Sequence, residues 1–159
     1  MQRSPWCALG LVGLVLALAG CVGNPTTTQI SDNARDLNLA LRFGRTDVAL
    51  QLTDEAAREA FRQRHAQWGN GIQVMDYEIV SMAMSSPTEA EVQVDYQWNR
   101  LEESTLRVTR VAQEWKNGDG GWRLTRERRI AGELGLFGEV MPLQQAPRGD
   151  AHFPTRTLH

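Results

Sequence analysis

Between Ala90 and Asn99 the chain alternates without a break: Ala90, Val92, Val94, Tyr96 and Trp98 fall on one side, and Glu91, Gln93, Asp95, Gln97 and Asn99 on the other. A period of two over that length describes a strand with one face in a core and one in water. Everything upstream reads differently. Ser31 or Asp32 can cap a helix with Ala34, Leu37, Ala40 and Leu41 on one face and Gly44 as its stop. Thr46 to Leu52 forms a second short segment. Thr53 opens a third helix with Asp54 and Glu55 in its first turn, a stripe of Ala57, Phe61, His65 and Trp68, and Gly69 at its end.

The period changes from 3.6 to two after Gly69. Ile72 to Met84 is a long strand whose apolar phase shifts twice, from Ile72 and Val74 to Met75, Tyr77 and Ile79, then to Val80, Met82 and Met84. Such slips are the sequence trace of β-bulges, which bend a sheet. Ser85-Ser86-Pro87 turns the chain into the alternating strand. A third strand runs from Thr105 to Lys116, Asn117 to Gly121 makes a hairpin turn, and Trp122 to Ile130 is the fourth strand. Helices followed by hairpin-linked strands predict an α+β domain, with N-terminal helices packed on a curved, bulged antiparallel sheet of about four strands.

That order of elements, together with the Gly121-Trp122-Arg123-Leu124 opening of the last strand, resembles the NTF2-like (cystatin-like) family of cone-shaped domains over about residues 31–131, within a domain of residues 31–141 that includes a glycine-rich lip. The resemblance implies a concave sheet face able to form a pocket. The family hosts isomerases, dehydratases, ligand binders and association modules, and fold alone does not choose among them.

The N-terminus carries an address. Arg3 precedes an uncharged stretch from Trp6 to Ala17, the pattern of a secretory signal. Gly20 and the polar run from Asn24 stop it short of the roughly 20 apolar residues of a membrane span. Leu18-Ala19-Gly20-Cys21 resembles the lipobox of bacterial lipoproteins. That resemblance implies cleavage after residue 20, acylation of Cys21, and attachment to a membrane through several acyl chains. One chain holds only reversibly and two or more hold firmly. Val22 stands where Asp marks inner-membrane retention in Gram-negative lipoproteins, so the expected address is the inner leaflet of the outer membrane, facing the periplasm. Residues 21–30 read as the acylated cysteine and a tether, and some nine residues reach about 30 Å. Residues 142–159, with Pro, Gly, Arg and His in no period, read as a disordered tail.

Removal of the leader takes Arg3 alone, leaving 16 basic against 19 acidic side chains. A mildly acidic domain gives no argument for nucleic acid. Cys7 leaves with the leader, so Cys21 has no disulfide partner within the chain. His65 stands apart from other ligand types, His152 and His159 being in the tail, so the expectation is no metal and no cofactor. No Gly-x-Ser-x-Gly or phosphate-binding glycine motif is present, and no residue is assigned a catalytic role. Asp76 and Asp95 alternate against apolar faces and should meet water, whereas Tyr77 and Tyr96 should be core.

Two features suggest docking. Parity from Trp122 places Arg123 and Arg129 on the outer face and Arg126 and Arg128 on the apolar side. There, two guanidinium groups must reach the rim, pair with a carboxylate such as Glu127 of a neighbouring chain or Glu133, or bind an anion. Past Ala131, a glycine-rich lip with Leu134, Leu136, Phe137, Val140 and Met141 either closes one end of the domain or presents an apolar patch. Arg126, Arg128, Leu136 and Phe137 are the candidate docking or anion-binding residues. The expected activity is non-enzymatic binding of an envelope protein or component, the alternative being a ligand or enzyme site inside the cone.

Overall fold

The computed structural model describes residues 25–140. Cys21, the leader and residues 142–159 lie outside the described residues. Within them the order is α1 (Pro25–Arg42), α2 (Thr46–Gln51), a 3-10 turn (Glu55–Ala57), α3 (Arg58–Arg64), then β1 (Ile72–Ser86), β2 (Glu89–Arg100), β3 (Arg107–Gly118) and β4 (Gly121–Gly132). The strands form one antiparallel sheet in the order β1-β2-β3-β4. This is the expected α+β architecture, with helices gathered on one face of a bent sheet.

α1 starts at Pro25 rather than at a Ser31 or Asp32 cap, so residues 25–30 are helix and not tether. Proline suits a first helical turn, where its missing N–H costs nothing. Ile30 supplies the reason to continue the helix backwards: it is buried, one turn before Ala34, and extends the stripe of Leu37 and Leu41. Burial of that stripe outweighs the weak helix propensity of three threonines. α1 ends where Gly44, at φ 68°, takes up a left-handed conformation, as its sequence position suggests. Thr53 does not cap the third helix. It bridges to Leu124 of β4 and its hydroxyl donates to the Ala49 carbonyl at 2.9 Å, while Asp54 caps the 3-10 turn before α3, accepting from the Ala56 amide at 3.0 Å.

The sheet is bent by single extra residues. In β1 the register to β2 slips between Val74 and Asp76, between Ile79 and Ser81, and between Met84 and Ser86. The first two slips coincide with the phase changes in the sequence. Met75 and Val80 are the extra residues and are exposed, which leaves Ile72, Val74, Tyr77, Ile79 and Met82 facing the helices. β2 keeps the expected parity throughout, with Ala90, Val92, Val94, Tyr96 and Trp98 all buried.

β4 departs from its expected parity. Glu114 pairs with Arg126 but Trp115 pairs with Leu124, so Thr125 is a bulge, and every residue after it changes sides. Trp122 and Leu124 point inward before the bulge, Glu127 after it, while Arg126 and Arg128 turn to the outer face. A second slip, between Arg110 and Val111, again leaves one residue extra before the strand ends at Gly132. There the chain crosses so close to β3 that a Cβ would sit 2.3 Å from the Val108 carbonyl oxygen, at a φ of 82°.

Gly132→Ala therefore meets both a steric overlap and a disfavoured backbone region, and should destabilise the domain by at least about 1–3 kcal/mol. The shift of the urea midpoint against Gly120→Ala, where a Cβ would meet only the side chain of Arg123, measures it.

Candidate functional site

Three tryptophans, Trp98, Trp115 and Trp122, occupy the concave face with Tyr96 and Leu124, all fully buried. Among them sits a polar group to which the helices and three strands contribute: Asn38 from α1, His65 just after α3, Tyr96 from β2, Gln113 from β3 and Glu127 from β4. Glu127 is 1 % exposed and His65 3 %.

Gln113 is the hub. Its Nε2 lies 3.0 Å from Asn38 Oδ1, 3.1 Å from the Tyr96 hydroxyl and 3.1 Å from Glu127 Oε1, so two hydrogens serve three acceptors. Asn38 Nδ2 donates to Gln113 Oε1 at 3.2 Å and to the Ala34 carbonyl at 2.7 Å, and the Tyr96 hydroxyl donates to Asn38 Oδ1. Burial first, and then the charge of Glu127, push the Tyr96 phenol well above its ordinary range. Tyr96 is thus a donor at any physiological pH.

Glu127 Oε2 faces His65 Nε2 at 3.4 Å, and neither atom has another hydrogen-bond partner. The other imidazole nitrogen, Nδ1, donates to the Phe61 carbonyl at 2.8 Å. Burial holds the His65 imidazole below its ordinary range, against the opposing pull of Glu127. The ring is boxed in by Phe61 at 4.1 Å, Trp68 at 4.4 Å and Phe137 at 5.6 Å between centroids.

The glycine-rich lip closes this end of the cone. Leu136 is fully buried and its carbonyl accepts from Trp68 Nε1 at 2.8 Å. Phe137 stacks on Trp68 at 6.2 Å with the Arg64 guanidinium 5.4 Å from its ring centre. Glu139 Oε2 accepts from the Gly135 and Phe137 amides at 3.0 and 2.9 Å, and Arg129 Nε lies 3.6 Å from its Oε1. Leu136 is consequently core and not a docking residue. Phe137 is only partly buried but is committed to Trp68.

The arginines also part company. Arg128 lies on the outer face, 2.8 Å from Glu91 and 3.6 Å from Glu114, and Arg126 stands exposed beside Glu114 in register. Arg123 is on that face too, and Arg129 turns to the rim to meet Glu139. The expectation that Arg126 and Arg128 share the apolar side is overturned by the Thr125 bulge. On the same outer face Asp95 binds Arg110 through two contacts of 2.6 and 2.7 Å, and this hydrogen bonding holds its carboxyl below the ordinary range. Asp76 is exposed and 3.1 Å from Arg42. Both acids meet water as expected, and Tyr96 is core. Tyr77 is only partly covered, its hydroxyl donating to the Arg35 carbonyl at 3.2 Å.

Sequence reasoning missed the buried network that Asn38, Gln113 and Glu127 form. Asn38 and Gln113 each fall on an otherwise apolar face, which is the available signal. Among the described residues no cluster of His, Cys, Asp and Glu suits a metal ion, and no helix is long and apolar enough to cross a membrane. A surface cleft of about 370 Å³ lies outside the cone, between α1 and α2, lined by Leu39, Ala40, Phe43, Val48 and Leu52 with Asp36, Arg45 and Gln51 around it. Phe43 there is 68 % exposed.

No protein-family model and no curated protein matches the sequence. Solved structures do. A ketosteroid isomerase-like protein from Erwinia carotovora atroseptica superposes with a TM-score of 0.58 at 12 % identity, over 69 % of this chain and 99 % of its own. A domain of unknown function with a cystatin-like fold from Nostoc punctiforme gives 0.53 at 13 % identity, over 67 % and 77 %. The fold is therefore NTF2-like, or cystatin-like, as the order of elements suggested. Identities this low carry the fold alone.

Tyr96→Phe removes one of the two donors to Asn38 Oδ1 and one acceptor of Gln113 Nε2, and should cost about 0.5–1.5 kcal/mol. Leu136→Ala should cost about 2–5 kcal/mol, the range for a core leucine. Urea unfolding checks both, and a Leu136→Ala variant as stable as the parent would return the lip to the surface.

Proposed function

We propose that this chain is a lipid-anchored protein of the bacterial cell envelope whose cone-shaped domain serves as a non-enzymatic docking module facing the periplasm. The observation that carries the reading is Leu18-Ala19-Gly20-Cys21 at the end of an uncharged apolar run, with Cys21 the sole cysteine left after cleavage. Acyl chains on that residue would hold the domain firmly to a membrane. The interior supports binding over catalysis, because its polar side chains are buried, bonded to one another and covered by the lip. A surface that fits a partner is the α1–α2 cleft with Leu39 and Phe43, in place of the buried Leu136. The envelope component that fits it presents an apolar side chain.

One observation favours a second reading, ligand binding or isomerase-type chemistry inside the cone. His65 Nε2 and Glu127 Oε2 face each other without other partners, in a fold shared with a ketosteroid isomerase-like protein. That reading requires the lip to open.

Cys21→Ser should move the full-length protein from the membrane fraction to the soluble fraction of the producing cell. Retention of the variant on membranes at the parent level would refute the anchor. Phe43→Ser should abolish crosslinking to an envelope partner without lowering the thermal midpoint, since Phe43 contributes little to the core.

A further inference from the structure

We propose that a single proton, shared between His65 Nε2 and Glu127 Oε2, latches the lip over the end of the cone, and that the lip loosens when this proton is lost.

The geometry leaves little alternative for the two atoms. They are 3.4 Å apart, both buried, and neither has another hydrogen-bond partner. Because His65 Nδ1 already donates to Phe61, a neutral ring presents a lone pair at Nε2. Without a proton between them, that lone pair would oppose a carboxylate oxygen in a dry site. With one, the same atoms form a hydrogen bond and the buried pair carries no net charge.

The lip rests on this pair. Phe137 packs edge-on against the His65 ring, and Trp68, which packs on the same ring, holds the Leu136 carbonyl. Arg64 joins the two sides, donating to the Glu127 carbonyl at 2.6 Å while its guanidinium lies over Phe137. Any turn of the imidazole away from Glu127 therefore moves the floor on which Leu136 and Phe137 sit.

The charged and titratable groups around the pair are few. Arg64 comes from α3, Tyr96 from β2, and Arg129 from β4 with Glu139 of the lip. Arg64 and Arg129 stay charged at all relevant pH values, and Tyr96 stays protonated. α1 and β3 present the uncharged amides of Asn38 and Gln113.

The two possible states of the pair predict opposite slopes. Unfolded, His and Glu take up protons near pH 6.5 and 4.3, so above about pH 6.5 the unfolded chain holds none on these two groups. If the folded pair keeps one, stability falls as pH rises beyond about 6.5, with the unfolding equilibrium constant growing about tenfold per unit. If the folded pair holds none, stability instead falls as pH drops through about 6.5, because the unfolded histidine then binds the extra proton. Glu127→Gln places an N–H permanently where the shared proton would be, while its Oε1 still accepts from Gln113.

The experiment is chemical unfolding of the domain from pH 6 to 9, alongside hydrogen exchange at the Gly135 and Phe137 amides expressed as protection factors. Expected are a decline in stability above about pH 6.5 and a parallel loss of lip protection in the parent, both removed by Glu127→Gln. Rising parent stability over this range, or lip protection that falls equally in the variant, would overturn the proposal. Should the variant fail to fold, the sign of the parent slope and the Nε2 resonance of His65 still decide it. A bare Nε2 with no hydrogen bond at pH 7 counts against the latch.

Discussion

Burying the Glu127 carboxyl sets conditions that several elements must meet together. A carboxylate out of water is costly unless donors surround it. Gln113 supplies one donor to it, and that amide can be oriented only because Asn38 and Tyr96 take up its remaining capacity. The result ties α1, β2, β3 and β4 through a single chain of hydrogen bonds. An apolar helix face could settle on the sheet in several positions. Asn38, which must reach Gln113, admits one, and a helix displaced by a turn would leave both amides unpaired in the core.

The fold was legible because apolar residues lie on both sides of most decisions. In β1, the switch from Ile72 and Val74 to Met75, Tyr77 and Ile79 marks a slip in the sequence, and the pairing with β2 makes Met75 the extra residue. β2 needs no correction at all. β4 was misread because Thr125, Arg126, Glu127 and Arg128 are all polar, so a one-residue slip left no change of pattern to detect. The candidate site lies just past that slip, and its acid was hidden by the same blank stretch. The start of α1 was missed for a different reason. Its first turn is written in Pro25 and threonines, and only the contact made by Ile30 makes helix the better choice.

Once the bulge is in place, Arg123, Arg126 and Arg128 share the outer face of β4. Arg128 answers Glu91 and Glu114 across the sheet, Arg129 answers Glu139, and Arg110 on the neighbouring strand answers Asp95. Exposed pairs of this kind contribute little to stability individually. Acidic side chains thus stand among the arginines of that face. Apolar exposure of the domain lies at Leu39 and Phe43 near the C-terminal end of α1, along β1 at Met75, Val80 and Met84, and around the β2–β3 turn at Leu101, Leu106 and Val108.

β1 forms one margin of the sheet, and its three slips, at Met75, Val80 and Ser85, divide fifteen residues into short runs. An uninterrupted margin of that length would offer a row of amide and carbonyl groups to any strand that came alongside, including the same strand of another molecule. A run broken every few residues offers no matching register to such a neighbour. Curvature of the sheet and an edge without a continuous register thus have one origin.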